Sequence, residues 1–144
     1  MKILFDTNVV VRAIYRPGGS AAKVLQRALA AGHLPVVSAF LLDEIERVLN
    51  YPRVKALAKN TEAEQQAVLE IFRAASITIE PEVVIGLSSD HDDDPIIALA
   101  SLAGAEVLCT LDKHFQEPAV TAFLKTKGIC VLTDVEFLAE LNVT

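Results

Sequence analysis

The sequence has no apolar segment long enough for membrane insertion. Its first residues, MKILFDTN, reach an acidic side chain at position six, which makes the apolar run too short for a signal peptide. No later run approaches the roughly 18 to 20 apolar residues that a membrane span needs. We therefore expect a cytoplasmic protein with no membrane partner.

Cysteine is scarce as well, since the chain contains only Cys109 and Cys130. Both lie in apolar runs typical of buried strands, so we predict two buried thiols and neither a disulfide nor a cysteine metal site. The only glycine cluster, at residues 16–20, lacks the lysine and the spacing of a phosphate-binding loop. No Ser/His/Asp or Cys/His arrangement for nucleophilic catalysis stands out.

Basic residues are outnumbered, with 13 Lys and Arg against 19 Asp and Glu and a net charge of −6. This balance argues against non-specific binding to nucleic acid. The net charge matters less if the acidic residues are concentrated in one pocket, because bound cations would neutralise them locally. Basic side chains near such a pocket could still contact phosphates, although a solvated helix face is the simpler explanation. The candidates are Arg12, Arg16, Lys23 and Arg27.

What the sequence does contain is a regular alternation of strand-like and helical segments. The chain has 144 residues, of which 52% are hydrophobic and 22% charged, and this predicts one folded domain over residues 1–144. The alternation favours an α/β fold in which helices cover both faces of a parallel sheet. Strand-like runs occur at residues 3–5, 34–38, 77–80, 106–110 and 129–132.

Local signals mark several helix ends. We predict that Ser20 caps a helix and that Gly128 ends one. Two capping boxes, in which a Thr and a Glu three residues later bond each other's backbone, are also predicted. They are Thr61 with Glu64 and Thr133 with Glu136.

Four acidic residues occupy positions that a parallel sheet would bring together. Asp6 and Asp112 follow apolar runs closely, and Asp93 precedes another. Glu44 lies on the apolar side of a predicted helix, where an unpaired carboxylate is rarely found. The carboxyl ends of neighbouring parallel strands meet at one crevice, so we expect these side chains to form one negatively charged pocket.

Such a pocket would need a cation. Two carboxylates about 4 Å apart repel by roughly 4 kcal/mol at an effective dielectric constant of about 20, so four of them need raised pKa values or a bound divalent ion. Sites made only of carboxylate oxygens suit Mg²⁺ or Mn²⁺, and these ions typically serve phosphoryl chemistry.

Each acid also has an ordinary structural explanation. Asp6 could cap the helix that follows it, Asp112 could be a turn residue, and Glu44 could form a salt bridge. The acidic residues 90–94 could be solvated loop charge, could interact with a helix dipole, or could include the cap of the next helix at Asp94. The coincidence of all four acids at one sheet edge is what favours a functional site.

With these residues identified, the sequence resembles the PIN-domain family of nucleases, and within it the VapC toxins of prokaryotic toxin–antitoxin systems. The resemblance extends over nearly the whole chain. The first of its five motifs is short, but all five in this order and at these separations are specific. The motifs are Asp6-Thr7-Asn8, residues 17–25, Ser38 followed six positions later by Glu44, the acidic run before residues 96–100, and Thr110-Leu111-Asp112. Leu111 departs from the pattern, since many relatives carry a small or basic residue there.

The resemblance implies a three-layer α/β/α sandwich with a central, mainly parallel sheet, and a Mg²⁺- or Mn²⁺-dependent endoribonuclease activity. The implied catalytic and metal-binding acids are Asp6, Glu44, Asp93 and Asp112. The family pattern of an Asp, six residues and an Ala selects Asp93, counting back from Ala100. Asp90 and Asp94 then become additional or outer ligands.

The resemblance also implies supporting residues and partners. Asn8 and Thr110 would support the pocket by hydrogen bonds. The expected partners are an RNA substrate, a small antitoxin protein and a second copy of the chain in a homodimer.

Other proteins with acidic pockets fit less well. A phosphatase of the haloacid dehalogenase type would need a second acid two residues after Asp6, where the chain has Asn8. A response-receiver module would need adjacent acids after the first strand and a lysine after the last strand, and the sequence supplies neither there. The serious alternative is a PIN-type scaffold that binds RNA or protein without cleaving RNA. Metal-dependent cleavage by the purified protein separates that scaffold from a nuclease.

Overall fold

A computed structural model describes residues 1–80 and 94–143 of the chain. The strands are β1 (Lys2–Phe5), β2 (Leu34–Val37), β3 (Ile77–Thr78), β4 (Val107–Cys109) and β5 (Cys130–Leu132). The helices are α1 (Thr7–Tyr15), α2 (Ser20–Ala30), α3 (Ala39–Leu49), α4 (Pro52–Leu57), α5 (Glu62–Ala75), α6 (Asp94–Ala103), α7 (Pro118–Thr126) and α8 (Asp134–Val143). A short 3₁₀ helix (Lys113–Gln116) follows β4.

The five strands form one sheet in the order β3-β2-β1-β4-β5, and every pair of neighbours is parallel. The chain adds β2 and β3 on one side of β1, then crosses back and adds β4 and β5 on the other side. Because parallel crossovers are right-handed, the connections on the two sides of β1 cover opposite faces of the sheet. The predicted α/β/α sandwich is confirmed. All five predicted strands are present: β1 begins one residue earlier than predicted, and the other four are shorter by one or two residues.

The centre of the sheet is apolar because helices cover both of its faces. The side chains of β1 from Ile3 to Phe5 are fully buried. Helix α8 packs against α2, and its Phe137 ring lies 6.4 Å from the ring of Phe5. The prediction of two buried thiols is right for Cys109 and wrong for Cys130, which is exposed. The reason is position, since Cys130 begins the edge strand β5, which has a neighbour on one side only.

Most of the predicted helix ends are confirmed. Both capping boxes form, with backbone-to-side-chain bonds of 2.9 and 3.2 Å in each. Gly128 has a φ of +74°, a conformation that favours glycine after a helix. The prediction for Ser20 is wrong, because Gly19 is the N-cap and the Ser20 hydroxyl bonds to α8 instead. None of the helices in residues 1–80 and 94–143 combines the length and apolar character that crossing a bilayer requires.

Candidate functional site

The strand order creates a crevice between the carboxyl ends of β1 and β4. The chain leaves these two strands toward opposite sides of the sheet, and open α/β sheets bind ligands at such switch points. Asp6 follows β1 immediately, while Thr110 and Asp112 follow β4. The backbone N–H of Asp6 donates to the carbonyl of Cys109 at 2.9 Å, so the two strands stay paired up to the crevice.

Asp6 is nearly enclosed, with 5% of its surface exposed. Its Oδ1 accepts a hydrogen bond from the backbone N–H of Thr7, and its Oδ2 accepts one from Oγ1 of Thr110, both at 2.8 Å. Asp6 is also the N-cap of α1, so the structural explanation of this acid is correct as far as it goes. A carboxylate has about four acceptor sites. The two bonds therefore leave Asp6 with capacity to bind a cation.

The hydroxyl of Thr110 connects the two sides of the switch point. Thr110 is fully buried, and its Oγ1 donates to Asp6 while accepting from the backbone N–H of Asp112 at 3.0 Å. Asp112 is half-buried, and its Oδ1 accepts a hydrogen bond from the backbone N–H of His114 at 3.0 Å. Through this bond Asp112 caps the 3₁₀ helix. The Thr110 hydroxyl thus fixes the position of the Asp6 carboxylate, which follows β1, relative to the backbone of Asp112, which follows β4.

Replacing Thr110 by Val should destabilise the protein by about 2 kcal/mol, because a buried carboxylate oxygen and a backbone N–H both lose their partner. Any metal-dependent activity should fall by roughly ten- to a hundredfold, the usual effect of losing a group that orients a metal ligand. Urea unfolding and an activity assay measure the two effects. Thr110→Ser is the matched control, since it keeps the hydroxyl. Equal behaviour of the Val and Ser variants would show that the hydroxyl does not organise the site.

Glu44 approaches the crevice from α3. This helix begins after Ser38, whose side chain accepts from the backbone N–H of Leu41 at 3.1 Å. It packs against α1, which starts at the residue after Asp6. Glu44 is half-buried, as its place on the apolar side of the helix predicted. The packing of α3 on α1 brings the Glu44 charge close enough to act on Asp6.

The environment of Asp6 disfavours its negative charge. Burial is the main cause that raises the pKa of Asp6 from its ordinary value of 3.8 to about 6. The charges of Asp112 and Glu44 also raise this pKa, whereas the hydrogen bonds from Thr110 and Thr7 lower it. A cation bound beside Asp6 would favour the ionised form and reverse the shift.

The remaining predicted ligands are only partly described. Asp90 and Asp93 lie outside the described residues, and of Asp94 only the backbone, as the first residue of α6, belongs to them. Asn8 is exposed and its side chain forms no hydrogen bond within the described part of the chain, so its supporting role stays a prediction. In residues 1–80 and 94–143, no three His, Cys, Asp or Glu side chains come close enough to hold one metal ion.

The donors that the structure does describe suit a hard divalent cation. Asp6, Glu44 and Asp112 offer carboxylate oxygens, which Mg²⁺ and Mn²⁺ prefer. The one sulfur nearby, in Cys109, is a poor ligand, because burial and the charges of Asp134 and Asp6 raise the pKa of its thiol. The chemistry of this set therefore fits Mg²⁺ or Mn²⁺ and disfavours thiolate-binding metals.

One buried acid, Asp134, was not among the predicted site residues and is 3% exposed. Its Oδ2 accepts from the hydroxyl of Ser20 at 2.5 Å, and its Oδ1 accepts from the backbone N–H of Val135 at 2.9 Å. These bonds join α8 to α2 and engage both carboxylate oxygens of Asp134, so we assign Asp134 a structural role. No local pattern could have found it, because its partner lies 114 positions away.

The fold and the acidic crevice define an α/β/α sandwich with a candidate cation site at its switch point. The family model described as PIN domain matches residues 2–114, which include β1 to β4 and all the predicted acids. The chain belongs to the PIN domain family, as the sequence motifs predicted. Members of this family are generally nucleases.

The chain is also similar to two individual proteins. The uncharacterized protein MJ1680 of Methanocaldococcus jannaschii is 27% identical over 113 residues, which are 78% of this chain and 72% of that protein. A chain in the crystal structure of VapBC2 from Rickettsia felis, bound to a DNA fragment from their promoter, has a similar fold. The TM-score is 0.56 at 18% identity, and the match covers 92% of this chain and 98% of that chain.

Proposed function

We propose that this protein is a metal-dependent endoribonuclease that hydrolyses phosphodiester bonds of RNA. The proposal depends above all on Asp6, which is buried at the switch point of a PIN domain and feels the charges of two further acids. The donor set fits Mg²⁺ or Mn²⁺. When bound, such an ion would activate the attacking water and neutralise charge that develops on the phosphate.

The residues of the chain have distinct tasks in this proposal. Asp6 supplies a carboxylate in one orientation, because both of its oxygens are already held by hydrogen bonds. Thr110 sets the backbone of Asp112 relative to that carboxylate. Glu44 adds negative charge from α3, and Asp93 completes the ligand set from the acidic run. None of these acids acts as a nucleophile, since their role is to hold the ions.

The test is cleavage of a generic single-stranded RNA by the purified protein. We expect cleavage with Mn²⁺ or Mg²⁺, none in EDTA, and none of a single-stranded DNA of the same sequence. Binding of RNA without cleavage under any metal condition would reject the nuclease and support the non-cleaving scaffold. Equal cleavage of DNA would correct the substrate from RNA to nucleic acid in general.

We further propose that the protein is the toxin of a toxin–antitoxin pair and forms a homodimer. The structural similarity to a chain of VapBC2, which was crystallised with DNA from its promoter, supports a small antitoxin partner. A small open reading frame beside the gene should encode that partner. Expression of the nuclease alone should then arrest growth, and co-expression with the neighbour should restore it. Light scattering of the purified chain measures the dimer.

The identity of the third acid gives a separate prediction. Asp93→Asn should remove most of the cleavage, because it deletes a ligand charge without changing volume. Asp94→Asn should be much milder, since Asn serves near a helix N-terminus about as well as Asp, and Asp90→Asn should fall between them. Cleavage assays on the three variants, with circular dichroism to check folding, give the ranking. An inactive Asp94 variant beside an active Asp93 variant would move the ligand by one residue.

A further inference from the structure

A groove between α1 and α4 lies beside residues that flank the candidate acids. It consists of two adjoining depressions of about 310 and 290 Å³, whose linings share Tyr15 and Leu57. The larger one is also lined by Asn8 and Leu111, each within two residues of a candidate catalytic acid. The two depressions together are called the α1–α4 groove below. A substrate whose reacting group lies at the candidate acids would therefore have room to continue along this groove.

The α1–α4 groove has the opposite charge balance to the whole chain. Its lining contains four basic residues and no acidic residue from the described part of the chain, although acids outnumber bases by 19 to 13 overall. The four are Arg12, Arg16, Arg53 and Lys59. None of them forms an ion pair with another residue in the ranges 1–80 and 94–143. A groove lined by one sign of charge attracts ligands of the other sign, so its occupant should be anionic.

Helix geometry arranges part of this lining in a row. Asn8, Arg12, Tyr15 and Arg16 follow one another at the spacing of a single face of α1 and its C-terminal end. At 1.5 Å per residue, Arg12 lies about 9 Å and Arg16 about 15 Å along the helix axis from Asp6. Arg53 lines the same depression from α4. Basic side chains therefore occur at increasing distances along α1 from the candidate active site, and Tyr15 lies between Arg12 and Arg16 in this row.

We propose that the α1–α4 groove binds the backbone of single-stranded RNA next to the cleavage site. Arg12 and Arg53 contact phosphates, and Tyr15 stacks on a base. The inference rests on the proposed nuclease function and deepens it by assigning the path of the substrate. Binding sites for single strands combine a positive groove along the backbone with aromatic side chains on which bases stack. The groove also explains how a chain with a net charge of −6 can bind a polyanion.

The test is binding of a fluorescein-labelled oligoribonucleotide of about 12 nucleotides, a length suited to such a groove. Fluorescence anisotropy is measured in EDTA so that nothing is cleaved. Each phosphate contact to a single strand contributes about 0.7 to the slope of log K against log salt. The double variant Arg12→Gln/Arg53→Gln should therefore lower the slope by about 1.4 and weaken binding roughly 20-fold at about 0.1 M salt. Tyr15→Leu should weaken binding, whereas Tyr15→Phe should retain it because the stacking face remains.

A matched control has the same change of charge outside the groove. Lys125→Gln/Lys127→Gln alters two exposed basic residues at the C-terminal end of α7 and should leave the dissociation constant unchanged. An equal loss in this control would mean that binding reflects net charge alone, and the groove would be rejected. Unchanged binding by the Arg12 and Arg53 double variant would also overturn the inference.

Two further outcomes separate this inference from its alternatives. A poly-glutamate peptide is titrated against the same variants. If binding of the peptide depends on Arg12 and Arg53 and binding of RNA does not, the groove receives an acidic protein segment and the inference is wrong. If the groove variants lose RNA binding but the wild type does not cleave RNA with Mn²⁺, the groove assignment is supported while the nuclease function fails.

Discussion

Asp6→Asn should lower metal-dependent RNA cleavage by roughly a thousandfold or more while the protein stays folded. Asn has the volume of Asp, its amide oxygen can accept from the backbone N–H of Thr7, and its NH2 group can donate to the hydroxyl of Thr110, so the core around it changes little. The substitution removes the most enclosed negative charge of the site. A metal ion contributes several kcal/mol to the stabilisation of the transition state, and about 4 kcal/mol corresponds to a thousandfold in rate. The measurement is kcat/KM with Mn²⁺, with circular dichroism as the test of folding.

A second readout keeps this prediction independent of activity. Mn²⁺ should raise the melting temperature of the wild type, because it binds the folded protein alone and relieves the repulsion between carboxylates. The Asp6→Asn variant should show a smaller rise. Asp43→Asn is the control, since Asp43 is an exposed acid on α3 next to Glu44. It should cleave and melt like the wild type. A variant at Asp6 that keeps both full activity and the full Mn²⁺ effect would exclude Asp6 as a ligand.

The contribution of Asp6 to the stability of the metal-free protein should fall as pH rises from about 4 to about 6. The folded state holds the Asp6 proton up to a pKa of about 6, whereas the unfolded chain releases it near 3.8. Between these values the folded state binds more protons, so the free energy of unfolding decreases with pH and is constant above the upper value. A shift of about two pH units corresponds to about 3 kcal/mol.

Other acids titrate in the same range, so the difference between two proteins is the quantity to measure. Urea unfolding of the wild type and of Asp6→Asn in EDTA, from about pH 4 to about pH 7, isolates the contribution of Asp6. The variant should gain up to about 3 kcal/mol relative to the wild type across this range, because Asn does not titrate. A difference that does not change with pH would show that Asp6 ionises as easily in the folded state as in the unfolded chain.

The sequence was informative wherever structure depends on neighbours along the chain. Both capping boxes form because each needs only two residues three positions apart. Asp6 and Asp112 lie at one edge of the sheet because each follows an apolar run that became a strand. The half-buried position of Glu44 followed from the apolar periodicity of α3. These features fix the fold class and bring three of the four predicted acids to one region.

Features that depend on distant parts of the chain could not be predicted in this way. Ser20 looked like a helix cap, but its hydroxyl bonds to Asp134, which the sequence places far away. Cys130 looked buried because its run is apolar, yet exposure is decided by the order of strands, which no local pattern encodes. No sequence pattern marks Arg53 as a groove residue, because it lines the groove only through the packing of α4 beside α1.

The contact between α8 and the first strand has a consequence for how the chain is made. The Phe137 ring lies against Phe5, and Asp134 holds α8 on α2 through Ser20. A ribosome releases residues in order from the N-terminus, so one face of β1 lacks this cover until Phe137 has emerged. Strand β1, which leads into Asp6, is therefore synthesised first, but one of its faces is covered only when α8 has been synthesised. A nascent chain that stops before Asp134 would expose the Phe5 ring and lack the bond that anchors α2.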